Sequence, residues 1–193
     1  MALFLRQKES MPTRLITPPA ALPVSLAEAK LNLRIDGNEQ DTMIEAWLHG
    51  ITAHAEHVTG RSFINQTWRV TLDSFPDAIE LPVPGSSVTV KYIDEAGTEQ
   101  TLDPADYIVD SVSEPGYVVP GVGKAWPTTC DRINAVNVDV VAGYGETEAS
   151  IPKGIKLYIL ARLVEQYDPA IRVEKDTVQS SFLDGLLDRY KVY

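Results

Sequence analysis

The sequence predicts an α+β protein: a helical platform in which N-terminal and C-terminal helices pack together, with an antiparallel β unit inserted between them. Two observations carry this. Apolar residues recur at helical spacing near both ends, at Ile44, Leu48, Ile51, Ala55 and Val58 and again at Ile155, Tyr158, Ile159 and Leu163. Between those stretches the apolar period drops to two, and Pro, Gly and Asp interrupt the chain at short intervals, as antiparallel strands and their turns require. Each helical stripe needs burial, and the other stripe is its nearest available partner.

In chain order, residues 1–22 show no sustained period and contain Pro12, Pro18 and Pro19, which predicts an extended N-terminal arm. Ser25 is placed to cap a first helix, with Glu28 three residues on to complete a capping box, and Asp36-Gly37 breaks it. A long helix starts near Asp41, whose carboxylate suits the positive helix end, and stops at Gly60, which tolerates a left-handed C′ conformation.

From Gln66 to Asp73, Trp68, Val70 and Leu72 alternate with polar residues. Further strands are read at 78–81, 87–93, 98–102, 107–109, 117–119 and 136–142, with a hairpin turn at Asp94-Glu95-Ala96-Gly97. The expected β unit is a small sandwich or open barrel spanning 63–149. Helical spacing returns after Pro152 and ends at Asp168-Pro169, and a last short helix fits Ser181 to Tyr190. Residues 23–62 and 150–193 together form the platform in this reading.

Composition narrows the function. At 193 residues the chain makes one domain or two small ones, and 44% hydrophobic with 23% charged residues is ordinary for a globular protein. The net charge of -10, from 27 acidic and 17 basic residues, argues against binding nucleic acid by neutralising phosphates. It does not exclude a protein that lets DNA slide past, since a wall of like sign repels the duplex. The lone Cys130 excludes a disulfide framework and points to a reducing compartment. The apolar stretch in the first ten residues is too short for a signal peptide, and no run is long enough to span a membrane.

No constellation carries catalysis. Cys130 lacks the partners of a nucleophile, since His49, His54 and His57 all lie in the long helix. His54 and His57 share a face, but with only Glu45 or Glu56 nearby they fall short of a metal site and read as solvent-exposed. Gly121-Val122-Gly123-Lys124 and Gly143-Tyr144-Gly145-Glu146 lack P-loop spacing. Asp73, Asp77, Glu80, Asp94, Glu95, Asp103, Asp106 and Asp110 fall mostly at turns, where Asp serves local hydrogen bonding. No G-x-S-x-G elbow occurs. The expectation is a non-enzyme with no metal and no cofactor.

Contact surfaces remain. Trp68 is explained by the core; Trp47 lies beside the Ile44-Leu48 stripe and could serve core or contact. Trp126, in a Gly/Pro loop, is a candidate exposed anchor. The apolar C-terminal run either docks back on its own domain or inserts into a partner.

Several stretches together resemble the phage head-tail connector family, the gp6-like adaptors and particularly their longer branch with a β insertion. They are the segment from Val24 to Arg34 with its acidic spacer, the long helix ending Thr59-Gly60-Arg61, Gln66-Thr67-Trp68, Ile79 to Pro82 and Val90-Lys91-Tyr92-Ile93-Asp94. Further on they are Thr101-Leu102-Asp103-Pro104 with Tyr107, Lys124-Ala125-Trp126-Pro127 and Val141-Ala142-Gly143-Tyr144-Gly145. The resemblance covers Leu15 to Tyr193.

It implies a structural protein of a tailed phage or prophage, forming a dodecameric ring below the portal that extends the DNA channel and joins head to tail. The subunit would be a monomer in isolation or a ring already. Its partners would be the portal protein and a downstream stopper or tail protein, with DNA passing unbound. Its place would be the virion head-tail interface, and the host cytoplasm during assembly. On that reading Phe182, Leu183, Leu186, Leu187, Tyr190 and Tyr193 are candidates for portal docking, and Ile44, Trp47, Leu48, Ile51 and Trp126 for subunit packing. Two alternatives stay open: a ligand- or carbohydrate-binding β module presenting Tyr92, Tyr107, Tyr117 and Trp126 on one face, or a carboxylate-dependent hydrolase.

Overall fold

The computed structural model describes residues 12–83, 85, 87–168 and 180–192. Its elements run β1 (Thr13–Thr17), α1 (Leu26–Leu33), α2 (Asp41–Thr59), β2 (Gln66–Leu72), β3 (Ile79–Glu80), β4 (Ser87–Ile93) and β5 (Glu99–Thr101). After these come β6 (Tyr107–Asp110), β7 (Tyr117–Pro120), β8 (Val136–Ala142), α3 (Lys153–Tyr167) and α4 (Ser180–Asp188). The α+β class is the one the two periodicities predict.

The helices form as their caps dictate. Ser25 Oγ accepts the Glu28 N–H at 3.3 Å and starts α1, which stops where Arg34 turns left-handed, two residues before the expected Asp36-Gly37 break. Gly60, at φ +66°, ends α2 as expected. Ile44, Leu48 and Ala55 of α2 are fully buried against Ile155, Tyr158, Ile159 and Leu163 of α3, with Val24, Ala29 and Leu187 closing the same core. The two stripes therefore cover each other. Glu28 and Lys156, 2.8 Å apart, tie α1 to α3.

The β unit has its own core between two antiparallel sheets, one ordered β1-β2-β8-β4-β5 and the other β3-β7-β6. Val70, Val90, Val136, Val138 and Val140 face Ile79, Tyr107 and Val118 across it. Central β8 alternates buried Val136, Val138, Val140 and Ala142 with half-exposed residues, and Val138 lies between Val70 of β2 and Val90 of β4.

One expectation is corrected. The arm read at 1–22 contains β1, an edge strand hydrogen-bonded to β2 with Arg14 opposite Arg69 and Leu15 opposite Trp68. All five of its residues are exposed, so it carries no alternating apolar signal. Residues 1–11 lie outside the described residues.

The two cores meet at one junction. Glu56, near the end of α2, accepts the Phe63 N–H at 2.7 Å and the Gln66 side-chain amide at 3.2 Å. The chain returns alongside itself there, with Tyr144 N–H on Phe63 O at 2.8 Å and Asn65 N–H on Gly145 O at 2.9 Å. Gly143, at φ +151°, is required, because a Cβ would stand 2.5 Å from Asn65 N. The C-terminus joins as well: Arg61 Nε donates to Tyr190 O at 2.6 Å and Val192 N–H to Thr59 O at 2.9 Å.

Two outcomes follow for stability. Leu48→Ala opens a void in the α2–α3 seam and is expected to lower unfolding free energy by about 2 to 5 kcal/mol, read by denaturant titration. Burial pushes the Glu56 carboxyl above its ordinary 4.5, against the lowering by Phe63 N–H and Gln66. The folded chain then holds this proton more tightly than the unfolded one. The Glu56 contribution is full below pH 4.5 and is lost as pH rises through the raised folded value. Glu56→Gln keeps an acceptor for Phe63 N–H, so the melting temperature should fall less between mildly acidic and neutral pH than in the parent.

Candidate functional site

The residues singled out for chemistry are dispersed, and several of the carboxylates are taken up in local bonds. Among the described residues no group of three or more His, Cys, Asp or Glu side chains is placed to hold a metal ion. His49, His54 and His57 are exposed along α2. The carboxylates work locally: Asp94 accepts Thr98 N–H at 2.9 Å, Asp103 accepts Ala105 N–H at 2.9 Å, and Asp110 accepts the N–H groups of Val112 and Ser113. Asp73 accepts Asn134 N–H at 2.8 Å, and Asp106 pairs with Lys124 at 3.0 Å. Hydrogen bonds from Thr98 N–H and Gln100 hold the Asp94 carboxyl below its ordinary value, and those from Ser113 and Val112 do the same for Asp110. Such groups stay ionised, whereas a general acid needs its proton held.

The aromatics do not form a platform. Tyr107 is buried, donating its hydroxyl to Val88 O at 2.8 Å, and burial pushes that hydroxyl's pKa up. Trp126 stacks on Phe75 at 4.7 Å and 9°, with its indole N–H on Pro76 O at 2.7 Å. Phe75 in turn meets Tyr92 edge-on at 5.8 Å. The exposed anchor expected at Trp126 is thus replaced by a partly buried ring sealing the β core, because its N–H finds a carbonyl there.

The candidate packing residues divide the same way. Ile44 and Leu48 are spent in the chain's own core, while Ile51 and Trp47 lie half-buried at its margin, Trp47 edge-on to Tyr167 at 6.2 Å. In α4, Leu183 and Leu187 are buried, and Leu186 and Tyr190 pack at the margin, the Tyr190 hydroxyl standing over Gly154. In this conformation neither Ile44 and Leu48 nor Leu183 and Leu187 are free for another molecule, since α2, α3 and α4 cover one another. The side chain of Phe182, and all of Tyr193, lie outside the described residues.

The apolar groups that do face solvent are others. Val112, Val122 and Ile133 stand out on loops of the β unit, and Leu31 and Leu157 on α1 and α3. They obey no period, so the sequence gives no signal that would separate them from core residues. Among the described residues β1 and β5 are the outermost strands of the five-stranded sheet, and the side chains of both are exposed along their whole length.

Residues 23–96, which span α1, α2 and the chain through β4, match the family model described as phage gp6-like head-tail connector protein. A search of curated proteins finds no match. Among solved structures, a chain from the neck of an empty gene transfer agent particle, computed with C6 symmetry, superposes with a TM-score of 0.74 at 19% identity. A chain from the native gene transfer agent virion does so with 0.74 at 20% identity, and one from the native neck, computed with C12 symmetry, with 0.71 at 20%. In all three the alignment covers 95% of this chain and 96% of the other. The resemblance read from the sequence is thereby borne out. Residues 23–96 carry the signature of the phage gp6-like head-tail connector family, on a fold that nearly the whole chain shares with components of gene transfer agent particles.

Proposed function

We propose that this protein is a structural head-tail connector of a tailed phage or prophage, assembling as a ring below the portal, extending the DNA channel and joining head to tail. The observation that carries the reading is the connector match at residues 23–96 on a fold shared end to end with chains of gene transfer agent necks, one of them computed with twelve-fold symmetry. The mechanism is positioning, with no chemical step. Two separate cores support a division into a helical platform, residues 23–62 and 150–193, and a β unit, residues 63–149. The helices would provide packing and the β unit a second surface.

A dodecamer on the portal, with a stopper or tail protein on its far side, is the fuller form of this proposal. Portal docking through α4 needs a refinement. Withdrawing Leu183 and Leu187 from the core would cost about 2 to 3 kcal/mol each, on the scale of burying a leucine. The docking surface is therefore what α4 and the residues after it leave at the margin, Leu186 and Tyr190, together with the exposed Gly185, Asp188 and Arg189. Acidic residues on the channel wall would repel the duplex and keep it moving, in line with the net charge of -10. Neither alternative gains support: Tyr107 and Trp126 of a sugar platform are spent on the β core, and Asp94, Asp103 and Asp110 of a hydrolase cap turns.

Light scattering of the purified protein, alone and mixed with the portal protein encoded beside it, tests the reading. A ring of about twelve subunits in at least one sample is expected; a monomer that ignores the portal under every condition overturns the proposal. In gel retardation at physiological salt the protein should leave duplex DNA unshifted at micromolar concentration, where a phosphate-neutralising protein shows non-specific binding near about 10⁻⁶ to 10⁻⁴ M.

A further inference from the structure

We propose that Arg61 and Glu114 are positioning residues for the docking margin at the C-terminus: Arg61 holds Tyr190 against the end of α2, and Glu114, reaching over from the β unit, holds Arg61. This role rests on the docking reading above and adds to it the side chains that set where Arg189 and Tyr190 are presented.

Arg61 stands where three parts of the chain meet. Its backbone N–H is bonded to Glu56 O at 3.3 Å, so its place is fixed by the last turn of α2. From there the guanidinium donates in two directions, through Nε to Tyr190 O at 2.6 Å and through Nη2 to the Glu114 carboxylate. The donors of an arginine are rigidly set relative to one another, so a carboxylate that fixes one also aims the other. A lysine would offer a single nitrogen on a flexible stem.

Glu114 is held firmly enough to do the aiming. It lies in the loop between β6 and β7, which Asp110 shapes by accepting the Val112 and Ser113 N–H groups at 2.9 and 3.0 Å. Two residues past Glu114, Gly116 O accepts Leu81 N–H at 2.9 Å, and Leu81 is buried in the β core. The carboxylate is therefore carried by the three-stranded sheet and not by the platform it contacts. Through this pair the presentation of the docking margin depends on the β unit.

The segment that Arg61 holds is one where single ties matter. Residues 189–192 follow the last helix, and terminal segments open at low cost, so each bond shifts their occupancy. Besides Arg61 they are tied back by Val192 N–H on Thr59 O at 2.9 Å and by Tyr190 edge-on to Tyr144 at 6.5 Å. Global stability depends on the Arg61–Glu114 pair far less. The two side chains are 22% and 37% exposed, and ion pairs in contact with water contribute little to it. That contrast separates a positioning role from a structural one.

The test measures hydrogen exchange at residues 189–192 in the free protein, binding to the portal protein encoded beside it, and melting temperature. It compares the parent with Arg61→Ala, Glu114→Gln, the double variant and, as a control, Lys124→Gln, which breaks an exposed pair within the β unit. Arg61→Ala should speed the exchange about tenfold and weaken portal binding about threefold or more, as the presented conformation loses occupancy. Glu114→Gln should act in the same direction, by about two- to fivefold in exchange, while its melting temperature stays within about 4 °C of the parent. Added to Arg61→Ala it should change nothing further, because Glu114 reaches the C-terminus through Arg61. The control should match the parent.

A parent that binds the portal, with both single variants binding as tightly, would overturn the positioning role and leave the docking reading standing. Additive effects in the double variant would overturn the route through Arg61. A parent that does not bind the portal would overturn the docking reading and this role with it.

Discussion

The carboxylate of Glu56 accepts Phe63 N–H at 2.7 Å, and with that bond it fixes the direction in which the chain leaves α2 for the sheet. Everything downstream inherits that direction. Within a few residues the returning strand is pinned to the outgoing one, by Tyr144 N–H on Phe63 O and Asn65 N–H on Gly145 O, and the close approach leaves no room for a side chain at residue 143. A half-desolvated carboxylate is an unfavourable thing to place here, as the upward push on its pKa records. What it provides in return is an acceptor for the Phe63 N–H, in the link between the end of α2 and β2.

Much of this architecture is legible in the sequence, because burial on one face writes a period. The α2 stripe and the strict alternation of β8 are both visible, and so is the Gly60 stop. What period cannot say is which molecule covers a stripe. Ile44, Leu48, Leu183 and Leu187 read equally well as core or as contact, and the structure places all four in the core. Trp126 misled for a related reason: a loop ring is expected outside unless a carbonyl such as Pro76 O is positioned for its N–H, and that is a tertiary fact. β1 is silent in the sequence because all five of its residues are exposed, so burial writes no alternating apolar pattern there.

The division of labour that results is simple. Apolar residues with regular spacing are consumed in making two cores, and what remains for other molecules is irregular: loop tips, strand edges and the margin of the last helix. On the reading proposed above, contact with other molecules resides in features that no local pattern specifies. The family signature stops at residue 96, while the fold likeness reaches nearly the whole chain, in keeping with a later half whose constraints are three-dimensional.

The convergence of four chain segments on the end of α2 also has a mechanical meaning. A pull on the β unit cannot peel it from the helices one bond at a time, because the outgoing and returning strands are linked to each other beside the point where they attach. The load passes together into the last turn of α2 through Glu56 and into the C-terminal residues through Arg61 on Tyr190 and Val192 on Thr59. Force is thus shared between α2 and the residues that follow α4, as in a bracket bolted at two points.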